Sequence, residues 1–240
     1  MKKAIIVGAS SGIGREIALV LAKNGYQLGL IARRSELLTN LQSELQTKSY
    51  IRCTDITKIP QSMLSLEKLI EEMESVDLII LNAGVGYINP EMEWIKEQET
   101  IEVNVMAFAA LANVAIKYFL SKRAGHLVGI SSVAAIRGMG GSTYGASKAF
   151  VSNYLEALQH KIFKQGLAKE IVVTEIIPGF VDTAMAKGEG LFWVAPAEKA
   201  ALQIYRAIER KCEKVYITKR WVLVAILLKL LPKYIFKRIF

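Results

Sequence analysis

The sequence predicts an α/β fold, a doubly wound parallel sheet of about seven strands with helices on both faces. Three observations lead to it. Short runs rich in Val, Ile and Leu, at residues 4–7, 27–31, 50–53, 77–81, 126–130, 171–176 and 215–218, alternate with longer stretches of helical period at 13–23, 35–46, 62–74, 92–119, 143–164 and 196–210. The strand runs are apolar at nearly every position instead of every second one, as expected when both faces of a sheet are covered. The strict strand-helix order also suits a right-handed crossover, in which a helix returns the chain to the same end of the sheet before the next parallel strand.

At 240 residues, the chain reads as one domain over 1–218 followed by a tail at 219–240. A hydrophobic share of 52%, with 22% charged residues and only 5 Pro, provides a sizeable core and excludes a long disordered tract. Cys53 and Cys212 cannot build a disulfide framework, so a reducing compartment, the cytoplasm, is expected. The apolar run after Met1-Lys2-Lys3 is cut by Gly8 too early for a secretion signal and belongs to the first strand. The net charge is +9, yet six basic residues (Lys219, Arg220, Lys229, Lys233, Lys237, Arg238) lie in the tail without an acidic one. That leaves 25 basic against 22 acidic residues, a net +3, for the body, which offers no basic face for nucleic acid.

Strand one runs into Gly8-Ala9-Ser10-Ser11-Gly12-Ile13-Gly14, which opens the first helix. Glycines there allow a sharp turn and a close approach to the backbone, and the helix N-terminus adds partial positive charge, so the loop suits a nucleotide pyrophosphate. The alternative is a plain tight turn, since the spacing is G-x-x-x-G-x-G. Strand two ends at Ala32-Arg33-Arg34, where an acidic residue would grip the free ribose diol of NAD. Two guanidiniums suit a 2′-phosphate instead, so NADP(H) is expected over NAD(H); two solvated arginines are the alternative. Glu36, behind Ser35, belongs to the first turn of the second helix.

In the helix at 143–164, Tyr144 and Lys148 lie one turn apart and share a face. A phenol has a pKa near ~10 and is a poor proton carrier at neutral pH unless its anion is stabilised. An ammonium about 4 Å away at an effective dielectric of ~20 contributes ~4 kcal/mol, enough to lower that pKa by roughly 3 before desolvation opposes it. Alone, such a pair is a common surface feature.

With these residues in place, the chain resembles the short-chain dehydrogenase/reductase family over residues 1–218. The Gly8 to Gly14 loop resembles the family's cofactor loop, and Asp55 resembles the aspartate after strand three that lies by the adenine. Asn82-Ala83-Gly84 resembles the turn after strand four, and Asn104 the helix asparagine. Ser131-Ser132 ends strand five, Tyr144 and Lys148 form the Tyr-x-x-x-Lys pair, and Pro178-Gly179 follows strand six. The resemblance implies a Rossmann fold with Asn104, Ser132, Tyr144 and Lys148 as catalytic residues. It implies cofactor binding by Gly8, Ser10, Ser11, Gly12, Ile13, Gly14, Arg33, Arg34, Asp55, Asn82, Ala83, Gly84, Tyr144, Lys148, Pro178, Gly179, Val181 and Thr183. Ser132 lies 12 residues before Tyr144, one fewer than the usual family interval, which would select Ser131; a glycine-rich loop at 137–141 can absorb the difference.

By the same resemblance, Tyr144 exchanges a proton with a carbonyl or alcohol oxygen while the nicotinamide exchanges hydride with carbon. Ser132 holds that oxygen, Lys148 tunes the phenol and bonds the nicotinamide ribose, and Asn104 anchors a water leading to the lysine. The alternative is a non-catalytic NADP(H)-binding sensor or scaffold. His126 and His160 have no ligand partners at suitable spacing, so no metal site is expected. The runs at 116–119 and 150–158 read as core or subunit-packing faces, and the family's habit implies a homo-oligomer, a dimer or tetramer.

After Pro178-Gly179, the segment through Trp193 resembles the family's lid, with Gly188 and Gly190 able to hinge. Phe180, Met185, Leu191, Phe192 and Trp193 suit either an apolar ceiling for a lipophilic carbonyl compound or lid packing alone. From Trp221 to Phe240 the tail holds twelve Val, Leu, Ile and Phe residues, with Lys229, Lys233 and Lys237 spaced four apart as on one helical face. Twelve such residues total about −6 kcal/mol for insertion, which two mid-segment lysines at about +3 each cancel. Pro232 interrupts the helix as well. A flat, peripheral membrane contact through residues 219–240 is expected; a cover over the molecule's own pocket or a subunit interface is the alternative.

Overall fold

The computed structural model describes residues 1–138, 143–186 and 191–239. Seven parallel strands form one sheet in the order β3-β2-β1-β4-β5-β6-β7. They are β1 (Lys3–Val7), β2 (Gln27–Ala32), β3 (Ser49–Cys53), β4 (Leu78–Leu81), β5 (Gly125–Ile130), β6 (Ile171–Pro178) and β7 (Lys214–Ile217). The order reverses between β1 and β4, the point at which α/β sheets open a crevice beyond their strand ends.

Successive side chains leave a strand on opposite sides, so each strand feeds two cores. Ile5, Val7, Ile79 and Leu81 pack with Leu66 and Leu69 of α3 (Ile59–Glu72), Phe119 of α5 (Phe108–Lys122) and Leu155 of α6 (Thr143–Lys164). Ala4, Ile6, Leu78 and Ile80 pack with α1 (Gly12–Lys23), α2 (Ser35–Glu44) and α7 (Ala197–Glu209). Helix α3 starts three residues earlier than the periodicity predicts, because Pro60 fits a first helical turn.

The stretch predicted as one helix at 92–119 is α4 (Trp94–Ile101), a π-helical turn at Glu102–Ala107, and α5. It is long and apolar enough to cross a membrane, but more than half of its most apolar stretch is buried in this protein. Ile116, Phe119, Val151, Leu155 and Leu158 are core residues, which settles the packing role expected for those two runs.

Beyond β7 come α8 (Trp221–Leu230) and α9 (Lys233–Ile239), separated at Leu231-Pro232 by extended backbone. The break means that Lys229 sits on one helix and Lys233 and Lys237 on another, so the single lysine face drawn from the four-residue spacing does not form. Trp221, Leu228 and Phe236 join Val133 and Ile177 in a third apolar cluster on the body.

Candidate active site

The glycine loop is shaped by what lies behind it. Gly8 adopts φ +87, and a Cβ there would stand 2.6 Å from the Ala83 nitrogen. A Cβ on Gly14 would lie 2.2 Å from the Gly8 carbonyl oxygen and 2.5 Å from Asn82 Nδ2. Asn82 Nδ2 donates to that carbonyl at 2.9 Å, and the Asn82 and Ala83 amides donate to Val7 O, so the turn after β4 clamps the loop after β1. Ile13 faces inward and packs against the second core.

Ser11 is the N-cap of α1 in extended conformation, with no side-chain cap bond to the helix. Its hydroxyl and that of Ser10 instead accept from Arg34 Nη2 at 2.7 and 2.9 Å. Among the described residues, the first-turn amides of α1 therefore have no side-chain acceptor, and the loop in front of them is stripped to glycine where a Cβ would intrude. That arrangement fits a pyrophosphate. Thr183 lies over the loop, with its methyl 3.0 Å from where a Gly12 Cβ would be.

The two arginines separate. Arg34 turns to the glycine loop, while Arg33 Nη1 lies 3.6 Å from Glu99 Oε1 of α4, and Glu99 also accepts from Tyr87 Oη at 2.5 Å. Consecutive residues leaving a strand point to opposite sides, so the two guanidiniums face different elements. Arg33 lines a cleft of about 220 Å³ with Thr57, Ile95, Gln98, Glu99 and Glu102. Asp55 is tied to Thr57 of that lining: burial works against its ionisation, but bonds from the Thr57 amide and hydroxyl and the charges of Arg33 and Lys58 outweigh that and hold its pKa below the usual value.

The remaining predicted residues meet beyond the ends of β4 and β5. Asn104 lies in the π-helical turn, where its amide donates to Val85 O at 2.8 Å and Ser147 Oγ at 2.9 Å and accepts from Val85 N at 2.9 Å. Ser147 Oγ donates in turn to Tyr144 O at 2.7 Å. Asn104 thus ties the loop after β4 to the start of α6. Gly84 permits the approach: a Cβ there would be 3.1 Å from Lys148 Nζ and 3.3 Å from Asn104 Oδ1. Gly86 does the same for the Tyr144 ring, 2.8 Å from a notional Cβ.

Ser132 caps a short 3-10 turn, accepts from Ala134 N at 3.2 Å and shares a side-chain hydrogen bond with Tyr144. Ser131 points the other way, donating to Glu175 Oε1 at 2.6 Å and Ile176 O. Strand alternation therefore presents Ser132, not Ser131, to the tyrosine. Residues 139–141 of the loop invoked for the shortened interval lie outside the described residues.

Tyr144 and Lys148 share a face, but not with the electrostatics expected from spacing. Lys148 Nζ donates to Ile130 O at 2.9 Å and stands 5.9 Å from the Tyr144 ring centroid. Burial pushes the Tyr144 phenol up, with the Ser132 hydrogen bond opposing, and pushes Lys148 down to about 8. The desolvation that the spacing argument set against the lysine's charge is the larger effect on both groups.

On the far side, Gly179 N donates to Ile217 O at 2.7 Å, and a Cβ on Gly179 would fall 2.0 Å from the Trp221 ring. Pro178 pairs with Ile217 in the sheet, and Val181 bridges to Ala195. Phe180 and Phe192 meet Trp221 at ring distances of 5.3 and 5.1 Å, and Trp193 joins at 6.1 Å. These rings form a wall whose outer members Phe192 and Trp193 are exposed, as is Met185. The hinge glycines Gly188 and Gly190 lie outside the described residues. The sequence reading missed Gly86 and Ser147; Ser147, three residues after Tyr144, was visible as a same-face polar residue. It also missed Trp221, which no local pattern marks as a partner of Gly179.

Comparison with known proteins agrees with this geometry. The family model described as short chain dehydrogenase matches residues 2–191. A Myxococcus xanthus protein named an uncharacterized oxidoreductase is 35% identical over 191 residues, covering 77% of this chain and 74% of that one. Among solved structures, a short chain dehydrogenase/reductase from Burkholderia phymatum in complex with NAD has a TM-score of 0.85 at 23% identity, covering 94% of this chain and 92% of that one. A short-chain dehydrogenase from Sphingobium yanoikuyae in complex with NADPH has a TM-score of 0.80 at 25% identity, covering 93% and 92%. With its glycine cradle, its Tyr-Lys face and a family match over most of its length, this chain belongs to the short-chain dehydrogenase family.

Proposed function

We propose that the protein is an NADP(H)-dependent oxidoreductase that reduces a lipophilic ketone or aldehyde to the alcohol. The observation that carries this reading is the cluster in which the Ser132 hydroxyl bonds the half-buried Tyr144 phenol and the buried Lys148 ammonium lies 5.9 Å from the ring centroid. Family membership and the NADPH complex of the Sphingobium yanoikuyae relative support a nicotinamide cofactor. Gly8 and Ser10 to Gly14 would hold its pyrophosphate, with Arg34 and Arg33 toward a 2′-phosphate and Asp55 toward the adenine. Asn82, Ala83, Gly84, Tyr144, Lys148, Pro178, Gly179, Val181 and Thr183 would line the rest. Bound NADPH supplies the hydride.

The chain's own residues handle the proton. The Tyr144 phenol is protonated at neutral pH, the form that gives a proton to a carbonyl oxygen as negative charge develops there. Ser132 Oγ donates to the same oxygen as charge develops there. Lys148, an ammonium below about pH 8, then stabilises the phenolate left on Tyr144. Asn104 acts as a positioning residue through Val85 and Ser147. A sensor or scaffold needs no assembled proton-transfer cluster, and the presence of one weighs against that alternative.

The reading includes a cytoplasmic homo-oligomer, a dimer or tetramer, in contact with a membrane surface through residues 219–240. The test is NADPH oxidation over ketones and aldehydes of graded chain length, with NADH in parallel. Turnover that rises with chain length, prefers NADPH and disappears in Tyr144→Phe is the expected result. Unchanged turnover in that variant would remove Tyr144 from the reaction.

A further inference from the structure

The tail lies beyond residues 2–191, the part matched by the family model, and the structure divides it into an inner and an outer face. Trp221, Ala225 and Leu228 are buried, with Trp221 seated on Gly179. Arg137 fastens this inner side: its guanidinium donates to the carbonyls of Leu228 and Leu231 and lies 4.3 Å over the Phe236 ring. The outer side is apolar and open to solvent. Leu223, Ile226, Leu227 and Leu230 are 66%, 49%, 59% and 76% exposed at i, i+3, i+4 and i+7, which makes one continuous stripe.

We infer that α8 and α9 form a docking surface for an anionic lipid bilayer, with the Leu-Ile stripe in the acyl boundary and the basic residues among the headgroups. Charge selects this occupant. Residues 219–240 hold six basic residues and no acidic one, so a second copy docked on this stripe would set twelve positive charges against each other without a carboxylate from either tail. Anionic headgroups neutralise the same charges. Length selects the orientation. The ten residues of α8 rise roughly 15 Å, about half the hydrocarbon thickness, and the chain breaks at Pro232, so α8 lies along the surface.

The inner side of the same helix packs on Gly179 and Phe180 through Trp221, so a docked molecule has that aromatic wall next to the lipid. Resting on the enzyme reading above, this places the substrate among lipophilic carbonyl compounds dissolved in the bilayer. The docking itself does not depend on turnover.

The test is co-sedimentation of the full chain with phosphatidylcholine vesicles, with and without phosphatidylglycerol, for the wild type and for Leu223→Glu/Leu227→Glu. Both substituted side chains are exposed, so circular dichroism and thermal unfolding should match the wild type. Wild-type binding should be at least about tenfold stronger to vesicles with phosphatidylglycerol than to those without, and should fall to the neutral-vesicle level in the double variant. Absence of wild-type binding, equal binding to both vesicle types, or equal binding by variant and wild type would each overturn the proposal. So would a vesicle-free dimer that dissociates in the double variant, because the stripe would then cover a second copy. Turnover of a water-soluble ketone without vesicles reports on the enzyme reading separately.

Discussion

Around Tyr144, neighbours are joined by directional bonds: Asn104 to Val85 and Ser147, Ser147 to the Tyr144 carbonyl, Ser132 to the phenol, Lys148 to Ile130 O. Around Trp221, on the other flank of Ser132-Val133, neighbours are rings and methyl groups. There, among the described residues, the buried Trp221 Nε1 has no hydrogen-bond partner. The first arrangement tolerates almost no displacement, since a hydrogen bond weakens steeply with distance and angle. The second needs only shape and volume, which several side chains can supply. On the proposed reading, proton transfer would occupy the rigid flank, and the wall that would meet a variable substrate the adaptable one.

The largest expected effect tests this contrast directly. Lys148→Met should lower turnover by about 10²- to 10⁴-fold, whereas Trp221→Phe should stay within about tenfold in kcat and alter mainly KM for bulky ketones. Equal losses in steady-state kinetics would break the comparison. Because burial lowers Lys148 to about 8, the wild-type rate should fall as pH rises through that value, where the ammonium is lost.

Next in size is a buried polar pair on the sheet face opposite α6. His126 Nε2 lies 2.7 Å from Thr174 Oγ1, and burial, with a contribution from Lys211, lowers its pKa from 6.5 to about 4. The unfolded chain then takes up a proton between those pH values that the native state refuses. Stability is full above 6.5 and is lost as pH falls toward 4, by up to about 3 kcal/mol. Urea unfolding at both pH values should show this loss shrinking in His126→Gln.

Two glycines sharpen the same contrast. Alanine at Gly14 would meet the Gly8 backbone oxygen, which cannot yield, and should cost about 1–3 kcal/mol together with cofactor binding. Alanine at Gly179 meets the Trp221 ring, carried by α8, which packs on the body through one face only and can lift, so it should cost less and instead leave residues 219–240 sensitive to protease. Smallest is the cofactor preference: Arg34→Ala should raise KM for NADPH about tenfold and leave NADH nearly unchanged. Equal shifts for both cofactors would assign Arg34 to the loop serines alone.

Much of the sheet was legible because strand and helix periods are local properties of the chain; all seven predicted strand runs overlap the strands found. The glycine loop and the Tyr144-Lys148 face were legible for the same reason, since a turn and a helical repeat both act over a few residues. The tail was only half legible. Pro232 marked the break between α8 and α9, but nothing near Trp221 in sequence marks Gly179 as its seat.

The order of elements, the glycine cradle and the shared face of Tyr144 and Lys148 are thus determined by sequence alone, through short-range sterics and periodicity. Tertiary structure decided that Ser132 rather than Ser131 meets the phenol, that Arg33 and Arg34 part company, that burial outweighs the lysine's charge on Tyr144, and that α8 keeps one face for the body and the other for solvent. Each of these depends on which atoms exclude water from a given group, and those atoms come from segments distant in the chain.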